Sequence, residues 1–295
     1  MRFGLAPPNY ARWFDAETAK RVCTTAEDLG FDCLWFGDHI ALPRDQADVF
    51  GNAYLDVFAL LGFVAAITSR VRLGTNVVVV PYRNPIVAAK LVATIDALSG
   101  GRVDLGVGVG HVAAEFEALG LPFRQRGAMT DEYLRVMREL WSNDCASFTG
   151  RWVSFQDLCP LTRPLQQPMS LLVGGDGPRS MRRALEFEAA WAPGQGTIDE
   201  LRAKMDTLRT LSAEAGRQCP RVVARWLVHP VAPGAERPPI PHSGELRRPR
   251  LEPAEAREQI AEIRELGVDE VIIDIPASKA TYAANMEFAA SLISS

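Results

Sequence analysis

The sequence predicts a (β/α)8 barrel, and three observations carry that expectation. Strand-like and helix-like periods alternate through eight units, the strand-like runs are continuously apolar, and 295 residues suit such a chain. Continuous Val, Ile and Leu runs belong to parallel strands covered on both faces, whereas a half-exposed sheet alternates apolar with polar residues. Eight units at this length favour a closed barrel over an open doubly wound sheet. Residues 1–295 are expected to form one barrel domain, with insertions at about 145–168 and 233–253 on its C-terminal face.

The elements follow in order. RFGLA at 2–6 is a short apolar run, and Ala19, Val22, Cys23, Ala26 and Leu29 then share one helical face that Gly30 ends. FDCLWF at 31–36 is the second strand, 56–67 is helical, and VRLGTNVVVV at 71–80 reads as one long β-branched strand. Asn84-Pro85 opens the next helix, where the missing proline N–H costs little, and 101–107 returns to strand. Met129, Tyr133, Val136, Met137, Leu140 and Trp141 form a helical stripe. After it come SLLV at 170–173, a helix at 178–189, a very short strand at 190–193 and a helix at 199–215. A strand at 222–231, a helix at 253–266 closed by Gly267, EVIIDI at 270–275 and a terminal helix complete the series. Segment 145–168 carries Trp152, Phe155 and three prolines, and 233–253 is Pro-rich with RRPR at 247–250. Both read as long loops of the kind that form lids or binding segments.

Composition narrows the partners. The chain is 47% hydrophobic and 23% charged with a net charge of −4, which offers no electrostatic footprint for nucleic acid or an anionic membrane. No apolar run reaches membrane-spanning length, and Met1 leads straight into a strand-like segment, so a cytoplasmic protein is expected. Cys23, Cys33, Cys145, Cys159 and Cys219 are dispersed without a CxxC pair, which points to reduced thiols and no metal site.

A barrel carries its chemistry just past the strand ends. Those positions hold Asn9 and Tyr10; Gly37, Asp38 and His39; Pro81, Tyr82 and Arg83, after a third strand that contains Thr75 and Asn76; Gly108, Gly110 and His111; Gly174, Gly175, Asp176 and Gly177; Gly194, Gln195 and Gly196; His229; and Asp274. Three of the four histidines fall among them. GVGVGH at 106–111 has GxGxG spacing on the fourth strand, not GxGxxG on the first, and no acidic strand end follows at the proper distance, so a dinucleotide reading fails. Close packing at a barrel corner and a cleared wall for a planar ring both remain open for that segment. VGGDGPRS at 173–180 leaves a strand and enters a helix, a geometry suited to an anion. Asp38-His39 suits acid–base work or a structural pair better than a metal, because no second ligand pair lies near it. No GxSxG elbow is present for a serine hydrolase.

Five segments then carry a family resemblance: AEDLGFDCLWFGDH at 26–39, TSRVRLGTNVVVVPYRNP at 68–85, LVATIDALSGGRVDLGVGVG at 91–110, EFEALGLPFRQRGAMTDEYLRVMRELW at 115–141 and LLVGGDGP at 171–178. On these the chain resembles the bacterial luciferase-like superfamily, and within it the coenzyme F420-dependent (deazaflavin) oxidoreductases. The resemblance implies a flavin-type ring at the C-terminal face of a TIM barrel. It implies that His39 contacts the ring region and that a bulge at Asn76 and Val77, often with a non-prolyl cis peptide, backs the ring. Thr75 and Asp38 are expected beside the cofactor, with its phosphate on the turn of Gly174, Gly175, Asp176 and Gly177. Gly108 and Gly110 would line the ring's wall, and His39 or His111 would protonate the product. Relatives often carry Trp or Glu where this chain has His111. The expected activity is hydride transfer between reduced F420 and a small organic substrate by a homodimer. The alternatives are an FMNH2-dependent monooxygenase and an inactive ligand-binding barrel. The basic run at 247–250 reads by default as a solvated loop, and under the resemblance it would meet the coenzyme's anionic tail.

Overall fold

Eight parallel strands make the wall: β1 (Arg2–Leu5), β2 (Cys33–Phe36), β3 (Arg72–Thr75), β4 (Val103–Gly108), β5 (Leu171–Gly174), β6 (Ala190–Ala192), β7 (Val223–Leu227) and β8 (Glu270–Asp274). The computed structural model describes residues 1–44, 47, 53–232, 234 and 250–293. Neighbouring strands pair in the order β7-β8-β1-β2-β3-β4-β5-β6. A single parallel bridge, Trp191 to Val222, joins β6 to the start of β7 and nearly closes the barrel. The continuous apolar runs are buried on both faces, as the parallel reading requires, with β2, β4 and β8 buried at every residue.

Helices follow the strands: α1 (Ala16–Asp28), α2 (Val57–Ile67), α3 (Pro85–Ser99), α4 (Ala113–Ala118), α5 (Arg126–Ser142), α6 (Pro178–Glu186), α7 (Ile198–Glu214), α8 (Pro253–Glu265) and α9 (Tyr282–Ser291). The starts of α1, α2 and α3 are fixed by side chains that satisfy the first amide groups. Asp15 accepts from the Thr18 N–H, Asp56 from Phe58 and Ala59, and Asn84 from Ile86 and Val87. Gly30 sits at φ +88° just past α1, as expected of a helix-ending glycine.

Two long strands expected from the sequence are interrupted. VRLGTNVVVV breaks after Thr75, passes through a cis peptide at Asn76–Val77, and resumes only at Val78–Val79 before a 3-10 turn. The glycines of GVGVGH explain how this bulge fits. A methyl group on Gly106 would overlap the Thr75 carbonyl oxygen, one on Gly108 would lie 2.5 Å from Val77, and one on Gly110 would lie 2.7 Å from Val79. Gly174 on the next strand clears the other side of Val77 at 2.8 Å. The alternating glycines therefore receive the bulge of β3 residue by residue. The second interruption divides 222–231 into β7 and a two-residue strand, His229–Pro230, that pairs with Arg250–Leu251.

Trp35 closes the barrel below the site. Its ring lies across Gly4 and Gly74, where a methyl group would collide with it, and its Nε1 donates to Glu270 at 2.8 Å.

Two expectations need correction. The 145–168 insertion lies at the N-terminal face, because it follows α5, which has already returned the chain to the bottom of the barrel. Its end is tied there: Gln166 Nε2 donates to Asp96 and to the Val103 carbonyl, each at 2.7 Å, and Arg72 reaches Gln166 at 3.1 Å. It is also not structureless, since Ala146–Thr149 and Ser154–Leu158 form an antiparallel hairpin. The second correction concerns the thiols. Cys145 and Cys159, 14 positions apart, flank that hairpin and form a disulfide, while Cys23 and Cys33 are buried thiols. Of the 233–253 insertion, residues 233 and 235–249 lie outside the described residues, and with them all of the 247–250 basic run except Arg250.

Candidate active site

A cavity of about 780 Å³ opens at the C-terminal mouth. Asp38, His39, Asn76, Val77, Gly108, Gly110, His111, Gly174 and Gly175 all line it, so residues from four strand ends meet in one space. Thr75, Asp176 and Gly177 do not. Thr75 is fully buried and gives its hydroxyl to the Gly106 carbonyl at 2.7 Å, which seals β3 against β4. Asp176 turns aside to Lys204 at 2.7 Å and to the Gly194 N–H, and Gly177 is the residue before α6.

Asp38 reaches the cavity wall, but its carboxylate is engaged elsewhere. It takes two hydrogen bonds from the Arg83 guanidinium, at 2.7 and 2.8 Å, and one from the Val79 N–H at 3.0 Å. Arg83 also pairs with Asp56 at 2.8 Å. This buried bidentate pair fastens the loop after β2 to the far side of the bulge, and so sets where His39 stands. Asn9 braces the same loop, donating to the Gly37 carbonyl at 2.9 Å.

The residue that the sequence reading missed is Glu115, on α4. It is buried, and its two oxygens accept from four donors. Oε1 takes the N–H groups of Ile40 and Ala41 at 2.8 and 3.1 Å; Oε2 takes His39 Nδ1 at 2.8 Å and the Tyr82 hydroxyl at 2.9 Å. Burial pushes this carboxyl up, but the bonds from His39, Ile40 and Tyr82 outweigh it and the net shift is downward, so Glu115 is an anion. An anionic acceptor fixes the proton of neutral His39 on Nδ1 and its lone pair on Nε2. Tyr82 is shifted upward by burial and by the same carboxylate, which keeps it a phenol donor.

Around His39 the rings gather. His111 lies 5.9 Å away between centroids at 84°, and Tyr54 lies 5.0 Å away at 71°. Burial, and then the nearby His39, shift His111 below its ordinary value, so it is neutral at pH 7. Tyr10 stands 5.8 Å from Tyr54. On the opposite side of the cavity, Arg225 of β7 binds Asp274 of β8 through Nε at 2.9 Å and through Nη2. A readable signal for this pair existed, because a lone Arg inside VVARWLV and an Asp ending EVIIDI put opposite charges on adjacent apolar strands. Tyr54 and Glu115 carried no comparable local signal, since each looks like an ordinary loop or helix residue.

The arrangement has the parts needed to hold a planar group and move a proton. Val77 and the glycines around it make a flat wall, and the Gly174–Gly175 turn leads into the N-terminus of α6, where helix amides favour an anion. The cavity also fits a ring of flavin size with room for a small second molecule.

Comparison with known proteins agrees with this architecture. The sequence profile described as luciferase-like monooxygenase matches residues 2–236. An uncharacterised Mycobacterium tuberculosis protein is 30% identical over 300 residues, covering 96% of this chain and 95% of that protein. An F420-dependent glucose-6-phosphate dehydrogenase of Kineococcus radiotolerans is 38% identical over 157 residues, 52% of this chain and 45% of that enzyme. Among solved structures, a Streptomyces bottropensis monooxygenase superposes with a TM-score of 0.82 at 21% identity, covering 99% of this chain and 98% of that one.

Proposed function

The chain belongs to the luciferase-like monooxygenase family, and from that premise we propose that it is an oxidoreductase passing a hydride between reduced coenzyme F420 and a small organic substrate. The observation that carries the choice of deazaflavin over FMN is the 38% identity to an F420-dependent dehydrogenase across 52% of this chain. Structural likeness at 21% identity bears on the fold alone.

In this reading Val77 would back the ring, Asn76, Gly108 and Gly110 would border it, and the Gly174–Gly175 turn would hold its phosphate. When bound, the reduced deazaflavin supplies a hydride from a ring carbon and reacts poorly with oxygen. The protein supplies position and a proton. The Asp38–Arg83 pair and Asn9 fix the loop so that His39 meets the reacting centre without reorganisation. Glu115 holds the Nδ1 proton throughout, so Nε2 is the nitrogen through which His39 would take or give the proton. His111 stays neutral because burial, and then the neighbouring His39, oppose its protonation. The two histidines therefore take different parts, His39 as acid and His111 as a neutral hydrogen-bonding edge.

Titration of the purified protein with reduced F420 and with reduced FMN tests the reading. Saturable binding of F420, weakened in His39→Ala and Gly175→Val, is the expected result. Saturable binding of FMNH2 alone would overturn it in favour of a monooxygenase, and unchanged F420 affinity in both variants would remove the site.

A further inference from the structure

The hairpin on the N-terminal face gathers three groups able to hold a metal ion, at the far end of the barrel from the cavity. Cys145 and Cys159 are 14 positions apart, so no spacing motif joins them, but the pairing of Ala146 with Leu158 sets them opposite one another. The third group comes from a bulge. Ala146 is buried, and Phe148 and Phe155 pack against the core, so that side of the hairpin faces the protein. Strict alternation from Phe155 would turn residues 157 and 159 inward as well. The register shifts between Ala146 and Phe148, however, and Gln156 and Asp157 together span the place opposite Ser147. Asp157 takes a φ of +49° there and donates its N–H to the Ser147 hydroxyl at 2.9 Å. The extra residue reverses the phase of the strand, so Asp157 and Cys159 emerge on the solvent side beside Cys145. The two sulfurs and a carboxylate oxygen lie within 4.8 Å of one another, and all three residues are exposed. Asp157 forms no ion pair among the described residues, whereas Asp144, next to Cys145, is paired with Arg163.

Proximity of the two sulfurs does not depend on the bond between them. Glu132 of α5 accepts the N–H groups of Arg151 and Trp152 at 2.8 Å and of Val153 at 2.9 Å, which clamps the turn, while the two phenylalanines anchor the strands. Opening the disulfide therefore leaves two thiols already side by side with the carboxylate. We propose that this hairpin is a redox-gated metal site: the disulfide is its closed state, and after reduction Cys145, Cys159 and Asp157 hold one Zn²⁺, with solvent completing the coordination. A dithiol supplies the two electrons, ends as a cyclic disulfide and leaves both sulfurs as thiols. Binding of the ion then releases both thiol protons to solvent. An external disulfide reverses the exchange, takes up the two electrons and two protons as a pair of thiols, and expels the ion. Two thiolates with one carboxylate suit a borderline-soft ion, whereas Mg²⁺ and Ca²⁺ need more oxygens than one carboxylate offers. The site stands apart from the reaction proposed at the barrel mouth, and neither depends on the other.

Cobalt serves as the spectroscopic stand-in for zinc. The full chain carrying Cys219→Ser, which removes the other exposed cysteine, is reduced with dithiothreitol under nitrogen, freed of it by gel filtration and titrated with Co²⁺. The expected result is uptake of a single equivalent, with a thiolate-to-cobalt band in the near ultraviolet and the visible bands of a tetrahedral site, all bleached by equimolar Zn²⁺. The oxidised form of the same chain should show none of these bands. A further Cys145→Ser exchange should weaken uptake by at least about 100-fold, and Asp157→Ala, which leaves both sulfurs in place, by at least about 10-fold. Absence of the thiolate band from the reduced chain overturns the proposal. So does equal uptake by the oxidised chain, or undiminished affinity in either Cys145→Ser or Asp157→Ala. The contrast between the reduced and oxidised forms of one chain decides the matter even if Cys145→Ser does not fold.

Discussion

Replacing Glu115 by Gln changes one atom and asks the site to give up its proton arrangement. The carboxylate accepts four hydrogen bonds on two oxygens, from Ile40, Ala41, His39 and Tyr82. A glutamine offers one carbonyl oxygen, which the two backbone N–H groups will claim because they cannot turn away. The new NH2 then faces His39 Nδ1 and the Tyr82 oxygen. Tyr82 can rotate its hydroxyl and accept, but His39 must lose its Nδ1 proton and carry it on Nε2, the reverse of the native tautomer. Each bond that exchanges a charged for a neutral acceptor loses about 1 kcal/mol. Two such bonds, with two more that must reverse direction and force His39 into its other tautomer, give a destabilisation of about 2–4 kcal/mol. For a chain of this length the melting entropy is about 0.6 kcal/mol/K, so the midpoint should fall by about 3–6 °C. Turnover should fall about 10²–10⁴-fold, the usual worth of a positioned acid. Imidazole ¹⁵N shifts report the tautomer directly, beside a thermal melt and a turnover assay. If His39 keeps Nδ1–H in the variant, or if hydride transfer stays within about threefold of native, the reasoning about Glu115 fails.

Other perturbations test separate parts of the structure. Gly106→Ala pushes a methyl group into the Thr75 carbonyl, a backbone atom that no rotamer can move, so stability should drop by about 1–3 kcal/mol and F420 affinity should drop with it. A variant that melts and binds like the native protein would show that the glycines do not accommodate the bulge. Acid should destabilise the fold in two stages. The folded-state value of His111 lies below its ordinary 6.5, so the unfolded chain takes up the proton first and stability declines as pH falls below about 6.5. Glu115 and Asp104 are both held below their ordinary 4.5 and 3.8, so their contribution is present above those values and is lost as pH falls beneath them. His111→Gln should abolish the upper stage and keep the lower one in a series of melts from pH 8 to 3; persistence of the upper stage would assign it to another group. Cys145→Ser should lower stability by up to about 3 kcal/mol, the loop-closure value for a crosslink of this span, and dithiothreitol should bring native protein to the same level. No response of the native melt to reductant would refute the crosslink.

Local pattern was enough to read the alternation of strand and helix, because burial on both faces forces each parallel strand to be apolar and each helix to carry one stripe. It was also enough to place His39, His111 and the glycine turns at strand ends, since the barrel topology sends every strand end to one mouth, whereas the bulge at Asn76 and Val77 was implied by the family resemblance and not by the local pattern. What the sequence left unread involves pairs far apart in the chain. Glu115 is 76 positions from His39, and Arg225 is 49 from Asp274. The break within VRLGTNVVVV depended on glycines some 31 residues later, at Gly106 onward, and the side of the barrel taken by 145–168 depended on where α5 had left the chain.

The sequence by itself determined a barrel and the set of polar groups at its mouth, because the period of apolar residues and the position of strand ends are local properties. Only the tertiary structure decided which carboxylate holds a histidine and which holds an arginine. Hydrogen bonds act over about 3 Å, and nothing in the order of residues says which side chains folding will bring within that distance.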